Sequence, residues 1–244
     1  MRGQYQENMA LAANAYLAWW QLAGVESAVG EAAVDWSRSP TISVRTPVTH
    51  QHPTSEPVPR KPARFDQFSE WALADSAAPE RRWPGQMLLP TGPADAKLMI
   101  VTDMPDPADM TAGVLMADKA GLLLDAMLRA IGLQRDLVFV TSLFFKRPPG
   151  GMVEARDLSF AADRMRTLVA LAAPQRLLVL GDRTNRALLA TNAGSGDPAL
   201  RPFNHDGGTV PAIATFHPRL LLSQPAAKAE CWRALQMLIE EVRP

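Results

Sequence analysis

Four short apolar segments recur from residue 97 onward, each separated from the next by a stretch that contains a helical pattern. Their sequences are KLMIVT (Lys97–Thr102), LVFVTSL (Leu137–Leu143), RLLVL (Arg176–Leu180) and VPAIAT (Val210–Thr215). The apolar spacing predicts helices over Gly121–Ile131, Ser159–Leu171, Arg183–Ala190 and Ala226–Val242. Strands that alternate with helices in this way predict an α/β domain, in which a central parallel sheet carries helices on both faces.

The ends of the predicted strands are the places where a ligand is expected. In open α/β sheets, ligands bind beyond the carboxyl ends of the strands, because the loops that meet there bring distant parts of the chain together. The candidate functional segments are therefore Thr102–Pro107, Ser142–Pro149, Gly181–Arg183 and Phe216–Arg219.

The prolines divide the chain into three parts. Residues 37–64 contain Pro40, Pro47, Pro53, Pro57, Pro59 and Pro62, together with several arginines and almost no large apolar side chain. Such a segment cannot bury enough apolar surface to offset its ordering entropy, so it is expected to be a basic, disordered linker. Residues 1–36 are predicted to form an amphipathic helical segment that contains tryptophans, and residues 65–244 are predicted to form the α/β domain.

The charge and cysteine counts exclude several protein classes. With 25 Lys and Arg against 25 Asp and Glu, the formal net charge is zero, whereas proteins that bind DNA by bulk electrostatics carry a large positive excess. A single cysteine, Cys231, excludes a disulfide framework and a multi-cysteine metal site. Since no run of 18 apolar residues is present and residues 9–23 make a poor signal peptide, a cytoplasmic protein without a membrane span is expected.

A series of short motifs keeps the order and spacing seen in a known enzyme family. The motifs are Thr102-Asp103-Met104-Pro105-Asp106 after the first strand, Lys119-Ala120-Gly121, Arg147-Pro148-Pro149-Gly150 and Thr215-Phe216-His217-Pro218. Together they resemble the family-4 uracil-DNA glycosylases over about residues 90–240. The resemblance implies a three-layer glycosylase-like fold, with a central parallel sheet flanked by helices.

The resemblance also implies which positions would carry the chemistry. A glycosylase flips the target nucleotide into a pocket, stacks the base on an aromatic ring, reads its edge by hydrogen bonds and stabilises charge on the departing base. In the family pattern the catalytic acidic residue falls at Asp103, and the active-site histidine is kept at His217. The motif glycine falls at Asp106, the stacking aromatic residue at Met116 and the base-reading asparagine at Ser142.

These replacements predict a degenerate substrate pocket. Methionine has no π-face, serine is too short for bidentate recognition of a base, and an aspartate at 106 adds negative charge where a phosphate should lie. The pocket remnants are Met104, Pro105, Asp106, Met116 and Ser142, and the candidate DNA contacts are Lys146, Arg147 and Arg219. No cofactor is expected, because the four iron–sulfur cysteines of the family are absent and Lys146 occupies one of their positions.

Several of these residues also have purely structural interpretations. Asp103 can serve as a polar residue that hydrogen-bonds the next turn, and His217 can bond the backbone at the start of an apolar helix. Arg147 can shape its proline-containing loop rather than bind phosphate. Arg183 and Arg186 begin a helix, where backbone N–H groups can hold an anion or the arginines can simply face solvent.

The N-terminal tryptophans have two interpretations. Trp19, Trp20 and Trp36, with Leu22 and Val25, either pack onto the domain or bind a partner protein, since a tethered amphipathic helix commonly binds in a groove. The arrangement resembles the psi subunits of bacterial DNA polymerase III clamp loaders. That resemblance implies two partners, the clamp-loader ATPase subunit and a chi-like subunit. Some bacterial glycosylases have a comparable N-terminal helix, so this segment leaves both origins open.

Three functions remain after these observations. The first is a non-catalytic protein of the glycosylase fold in DNA replication or repair, a psi-like subunit that links the clamp loader through a chi-like subunit to single-strand binding protein. The alternative is an active DNA glycosylase, which removes uracil or another deaminated base with Asp103 and His217. The third is a DNA-binding module that uses Arg135, Lys146 and Arg147.

Overall fold

The computed structural model describes residues 61–189 and 200–240, and within them a five-stranded sheet forms the centre of the fold. Its strands are β1 (Leu98–Thr102), β2 (Val138–Ser142), β3 (Arg176–Leu180), β4 (Arg201–His205) and β5 (Gly208–Thr215), in the order β2-β1-β3-β5-β4. Parallel pairs join β2, β1, β3 and β5. The predicted α/β class with a central, mainly parallel sheet is confirmed.

Part of the sequence-based prediction lies outside the described residues. This part comprises the helical segment 1–36, with Trp19, Trp20, Leu22, Val25 and Trp36, and residues 37–60 of the linker. The division of the chain into three parts therefore stays a prediction.

The edge strand β4 departs from the expectation of a wholly parallel sheet, since it pairs antiparallel with β5. Its sequence, RPFNH, buries only the side chain of Phe203, so it shows neither an apolar run nor a clear alternation. Pro202 fits this position because an edge strand tolerates the loss of a backbone donor. The sheet is therefore mixed.

Helices cover both faces of the sheet. The helices are α1 (Phe68–Ala74), α2 (Pro107–Ala112), α3 (Lys119–Ala130), α4 (Ala155–Ala172), α5 (Asp182–Leu188), α6 (Pro218–Ser223) and α7 (Lys228–Glu240). Successive side chains of β1 point to opposite faces. Met99 and Val101 pack in one apolar cluster with α1 and α4, whereas Leu98 and Ile100 pack in a second cluster with α3 and α7. The expected three layers are thus present.

The predicted helices agree with α3, α4, α5 and α7, with ends displaced by a few residues. The short helices α1, α2 and α6, of six or seven residues, were not predicted from the sequence. Short 3₁₀ segments complete the description at Phe65–Gln67, Pro79–Arg82, Arg135–Leu137, Pro149–Gly151 and Pro225–Ala227. No helix within residues 61–189 and 200–240 has the length and apolar character needed to cross a membrane.

The free edge of β2 is covered by the chain that precedes β1. Thr91 and Val140 exchange backbone hydrogen bonds, and the Leu88 N–H donates to the Phe145 carbonyl oxygen at 2.7 Å. Gly92, which follows Thr91, has φ 124°, and a Cβ there would lie 2.4 Å from the Val138 carbonyl oxygen. Only glycine fits this close approach, which protects β2 from pairing with another chain.

Candidate functional site

A cleft of about 340 Å³ opens at the carboxyl ends of the strands. The strand order reverses between β1 and β3, and ligands of open α/β sheets bind at such a switch point. The lining residues are Asp103, Met104 and Asp106 after β1, Arg147, Gly150 and Gly151 after β2, Leu180–Arg183 at the β3–α5 junction, and His217 and Arg219 at α6. Each of the four strand-end segments indicated by the sequence contributes to this cleft.

Asp103 directly follows β1, and Arg183 of α5 binds its carboxylate. The Arg183 Nη1 donates to Asp103 Oδ2 at 2.7 Å. The other oxygen, Oδ1, is buried and accepts no hydrogen bond from the described part of the chain. Burial raises the pKa of the Asp103 carboxyl, and the positive charges of Arg183 and Arg147 oppose that rise. Protonation of Asp103 is therefore easier than in an exposed aspartate.

Asp106 lies at the mouth of the cleft between two arginines. Arg219 donates to Asp106 Oδ2 from Nε at 2.8 Å, and its Nη2 lies 2.6 Å from the same oxygen. Arg147 approaches the other oxygen, with 3.6 Å between Nη1 and Oδ1, and donates to the Pro105 carbonyl oxygen at 3.2 Å. Arg219 also donates to Asp118 at 3.1 Å. Two of the three candidate DNA contacts, Arg147 and Arg219, are therefore paired with carboxylates of the same chain.

His217 begins α6, where its imidazole caps the helix. The Arg219 backbone N–H donates to His217 Nδ1 at 3.1 Å. A neutral imidazole that accepts at Nδ1 carries its proton on Nε2. Burial lowers the pKa of His217, although the charges of Asp106, Asp109 and Asp118 oppose that change. At neutral pH the side chain is thus an uncharged donor at Nε2.

Two predicted pocket residues lie away from the cleft. Ser142 is fully buried at the end of β2, where its Oγ donates to the Phe144 carbonyl oxygen at 2.7 Å. Met116 is buried in the apolar cluster beneath α3 and α7 and adopts a left-handed backbone conformation with φ 55°. Neither residue is among those that line the cleft.

The remaining candidates divide between the cleft and its surroundings. Met104, Asp106, Arg147 and Arg219 lie together around Asp103 and His217. The Pro105 carbonyl oxygen accepts a hydrogen bond from Arg147, and Pro105 is buried. Lys146 points elsewhere, because its Nζ donates to the Trp83 carbonyl oxygen at 3.0 Å.

Sequence reasoning placed Arg183 in a candidate segment but missed its contact with Asp103, and it also missed a buried ion pair. Arg183 was placed at a helix start facing solvent or an anion, whereas it binds Asp103. Its position directly after β3 was the signal that could have indicated this contact. The second pair, Glu80 and Arg164, joins residues 84 positions apart, and no local pattern indicates it.

Residues 89–236, more than half of the chain, match the family model described as the uracil DNA glycosylase superfamily. The chain belongs to this superfamily. Among curated relatives, it is 27% identical over 155 residues to a type-4 uracil-DNA glycosylase from Pyrobaculum aerophilum, a match that covers 60% of this chain and 79% of that protein. The predicted resemblance to family-4 glycosylases is thereby confirmed.

The residues of this glycosylase-superfamily chain do not fit the iron–sulfur cluster that the resemblance to family 4 implies. Such a cluster is held by several thiolates, but Cys231 is the one cysteine of the sequence and is buried on α7. Burial raises the pKa of the Cys231 thiol, which disfavours the thiolate. Within the described residues, no group of three or more His, Cys, Asp or Glu side chains is arranged to hold a metal ion.

Proposed function

We propose that this superfamily member is a non-catalytic protein that acts in DNA replication or repair and excises no base. The proposal rests mainly on Ser142, the position that the family resemblance assigns to reading the base. Its side chain is fully buried, and its hydroxyl donates to the Phe144 carbonyl oxygen at 2.7 Å. A hydroxyl that is bound to its own chain, in a residue that does not line the cleft, is not available to a flipped base.

The other contacts that uracil excision needs are also missing from the cleft. Its lining, in the described part of the chain, contains no Phe, Tyr or Trp ring on which a base can stack and no amide side chain that can read a base edge. Loss of stacking costs about 1–3 kcal/mol per base, and loss of one electrostatic donor costs about 3–4 kcal/mol. Together they correspond to a rate roughly 10³–10⁵-fold lower.

A uracil-excision assay at stoichiometric protein tests this proposal. Single-stranded and mismatched duplex oligonucleotides with one uracil are incubated with the full chain, and alkali-labile cleavage is then measured. We expect no product above that of the Asp103→Asn variant. Uracil-dependent cleavage that Asp103→Asn or His217→Ala abolishes would overturn the proposal.

The second candidate function, a glycosylase for a different base, is favoured by one specific feature of the cleft. Asp103 retains a buried oxygen to which no described residue donates a hydrogen bond, and the neutral imidazole of His217 lines the same cleft. A carboxylate and an uncharged donor can position water and stabilise a departing base. Hypoxanthine- and xanthine-containing oligonucleotides in the same assay distinguish this candidate from the first, since only the second predicts cleavage.

The partners in this proposal come from the sequence of residues 1–36. The helical segment predicted from this sequence, with Trp19, Trp20 and Trp36, would suit binding to the clamp-loader ATPase subunit, as the resemblance to psi subunits implies, and the α/β domain would then bind a chi-like subunit. This places the protein at the replisome in the cytoplasm. Pull-down with purified clamp loader tests the idea by comparing the full chain with its Trp19→Ala/Trp20→Ala variant. Equal capture of both, or capture of neither, would contradict it.

A further inference from the structure

We propose that Arg147 and Arg219 form a binding site for a DNA phosphodiester, and that the chain's own Asp106 carboxylate occupies this site. The inference rests on the proposed function, because it concerns how this cleft would meet a DNA backbone. It assigns Asp106 a defined role, that of an internal anion which keeps the affinity for DNA low.

The geometry of Asp106 is that of a bound anion. Each of its carboxylate oxygens faces a different guanidinium, Oδ2 at 2.6–2.8 Å from Arg219 and Oδ1 at 3.6 Å from Arg147. Guanidinium groups bind carboxylates and phosphates with the same donor geometry. A phosphodiester oxygen at the place of Oδ2 could therefore accept from Arg219 in the same way, with Arg147 close enough to add its positive charge.

The charges of the residues that line the cleft balance, so they give an external anion little net attraction. Within the described residues, the acidic side chains that line the cleft are Asp103, Asp106 and Asp182, and the basic ones are Arg147, Arg183 and Arg219. His217 is neutral, because burial lowers its pKa. Three negative charges therefore balance three positive charges. Neutralising Asp106 leaves a net charge of +1 on these lining residues and removes the carboxylate that the two guanidinium groups share, while Arg219 keeps its bond to Asp118.

The surroundings leave room for a backbone phosphate. The side chains of Arg147 and Arg219 are 35% and 47% exposed, so solvent reaches both. The lining beside Arg147 contains Gly150 and Gly151, which have φ values of 64° and 69° and no side chain. A Cβ on Gly151 would lie 3.4 Å from Arg147 Nη2, so a side chain there would crowd the guanidinium.

Binding of a fluorescein-labelled single-stranded oligonucleotide to the full chain tests the inference. The affinity is measured over a range of salt concentrations for the wild type and for Asp106→Asn. A matched control is Asp206→Asn, which removes one negative charge from an exposed ion pair with Lys61. Asp206 lies in the β4–β5 turn, at the end of β5 that is farther from the cleft. Any gain from net charge alone should appear equally in the control.

We expect Asp106→Asn to bind the oligonucleotide about tenfold more tightly at low salt, with a slope of log affinity against log salt steeper by about 0.7–1.4, as one or two new phosphate contacts require. The gain should disappear in Asp106→Asn/Arg219→Ala. An equal gain in Asp206→Asn, no gain in Asp106→Asn, or a gain that survives removal of Arg219 would overturn the inference.

Two further measurements keep the result interpretable. Asp106→Ser supplies a second uncharged variant with a hydroxyl, and thermal unfolding shows which of the two variants is folded and used for binding. Inorganic phosphate should compete with the oligonucleotide for the variant, and stabilisation by phosphate without a gain for the oligonucleotide would overturn the phosphodiester assignment. Uracil excision is measured separately, so loss of the proposed function and loss of this inference give different results.

Discussion

Arg183 donates a hydrogen bond to Asp103 across the switch point of the sheet, with 2.7 Å between Nη1 and Oδ2. The two residues lie 80 positions apart and follow β3 and β1, the neighbouring strands at which the strand order reverses. The contact places a cation against the carboxylate that occupies the catalytic position of the family pattern. One oxygen of that carboxylate is therefore bound, and the other is buried without a donor among residues 61–189 and 200–240.

Removal of Arg183 should raise the pKa of Asp103 further. Burial already raises this pKa, and Arg183 opposes the rise both by its charge and by its hydrogen bond. Arg183→Met removes both contributions while keeping much of the side-chain volume. Carboxyl ¹³C NMR titration of Asp103 measures the change. Arg186→Met is the control, because Arg186 pairs with the exposed Asp182 on the same helix, and it should leave the titration of Asp103 unaltered.

The raised pKa of Asp103 also has a consequence for stability. The folded state holds this proton more tightly than the unfolded chain, so the contribution of Asp103 to stability falls as pH rises from its ordinary pKa through the raised one. In Arg183→Met that fall should extend to higher pH. A titration of Asp103 that moves downward in the variant would contradict the assigned roles of burial and Arg183.

Protonation of His217 should destabilise the protein. Its pKa is lowered by burial, so the stability it contributes is fully present above the ordinary histidine pKa and is lost as pH falls through the lowered value. The cap on α6 would be lost at the same time, because protonated Nδ1 no longer accepts the Arg219 N–H. His217→Asn keeps a capping acceptor that does not titrate. Urea unfolding between pH 7.5 and 5 (chosen to span the ordinary pKa of about 6.5) should show a weaker pH dependence in this variant.

Glu80 and Arg164 should be among the most sensitive positions in the core. Their side chains are 0% and 2% exposed, and Arg164 also donates to the Leu143 carbonyl oxygen while the Phe145 N–H donates to Glu80. The pair thus fixes the chain just after β2, before Arg147 enters the cleft. Glu80→Gln leaves a buried guanidinium without its counter-charge, which costs about 3–5 kcal/mol of unfolding free energy.

The matched control for this prediction is the exposed pair Asp163–Arg166 on α4. Asp163→Asn should change the unfolding free energy by less than about 1 kcal/mol, as is usual for surface pairs. Chemical denaturation measures both variants. Similar small effects in the two would show that the buried pair is not what holds the chain after β2.

The strands could be predicted because their apolar runs are buried on both faces, as in Leu98–Thr102. The same reasoning missed β4, since only Phe203 of its five residues is buried and its pairing with β5 depends on the long-range register of the sheet. Local sequence does not contain that information. Element type was therefore predictable wherever burial produced a pattern, and not at the edge.

The site was predictable to the level of segments but not of contacts. The strand-end rule selected the residues around Asp103, Arg147, Arg183 and His217, and these line one cleft. Which carboxylate each arginine binds depends on side-chain geometry across loops that are far apart in sequence, as for Arg219 and Asp106, 113 positions apart. The hydrogen bond from the Ser142 hydroxyl to the Phe144 carbonyl oxygen likewise depends on the turn after β2, which no motif indicates.

Gly121 should not tolerate a side chain, although it lies in helix α3, where alanine is normally preferred by about 1 kcal/mol. A Cβ at this position would lie 1.8 Å from the Met116 carbonyl oxygen, so the backbone of the turn that holds Met116 would have to move. We expect Gly121→Ala to lower the unfolding free energy by about 3 kcal/mol, the upper part of the range for overpacking. Gly113→Ala is the control, because it has φ 74° but no atom within 4 Å of its Cβ position, and it should cost only about 1–2 kcal/mol of backbone strain. Thermal and urea unfolding measure both, and an equal or larger loss in Gly113→Ala would show that the contact between Gly121 and Met116 is not limiting.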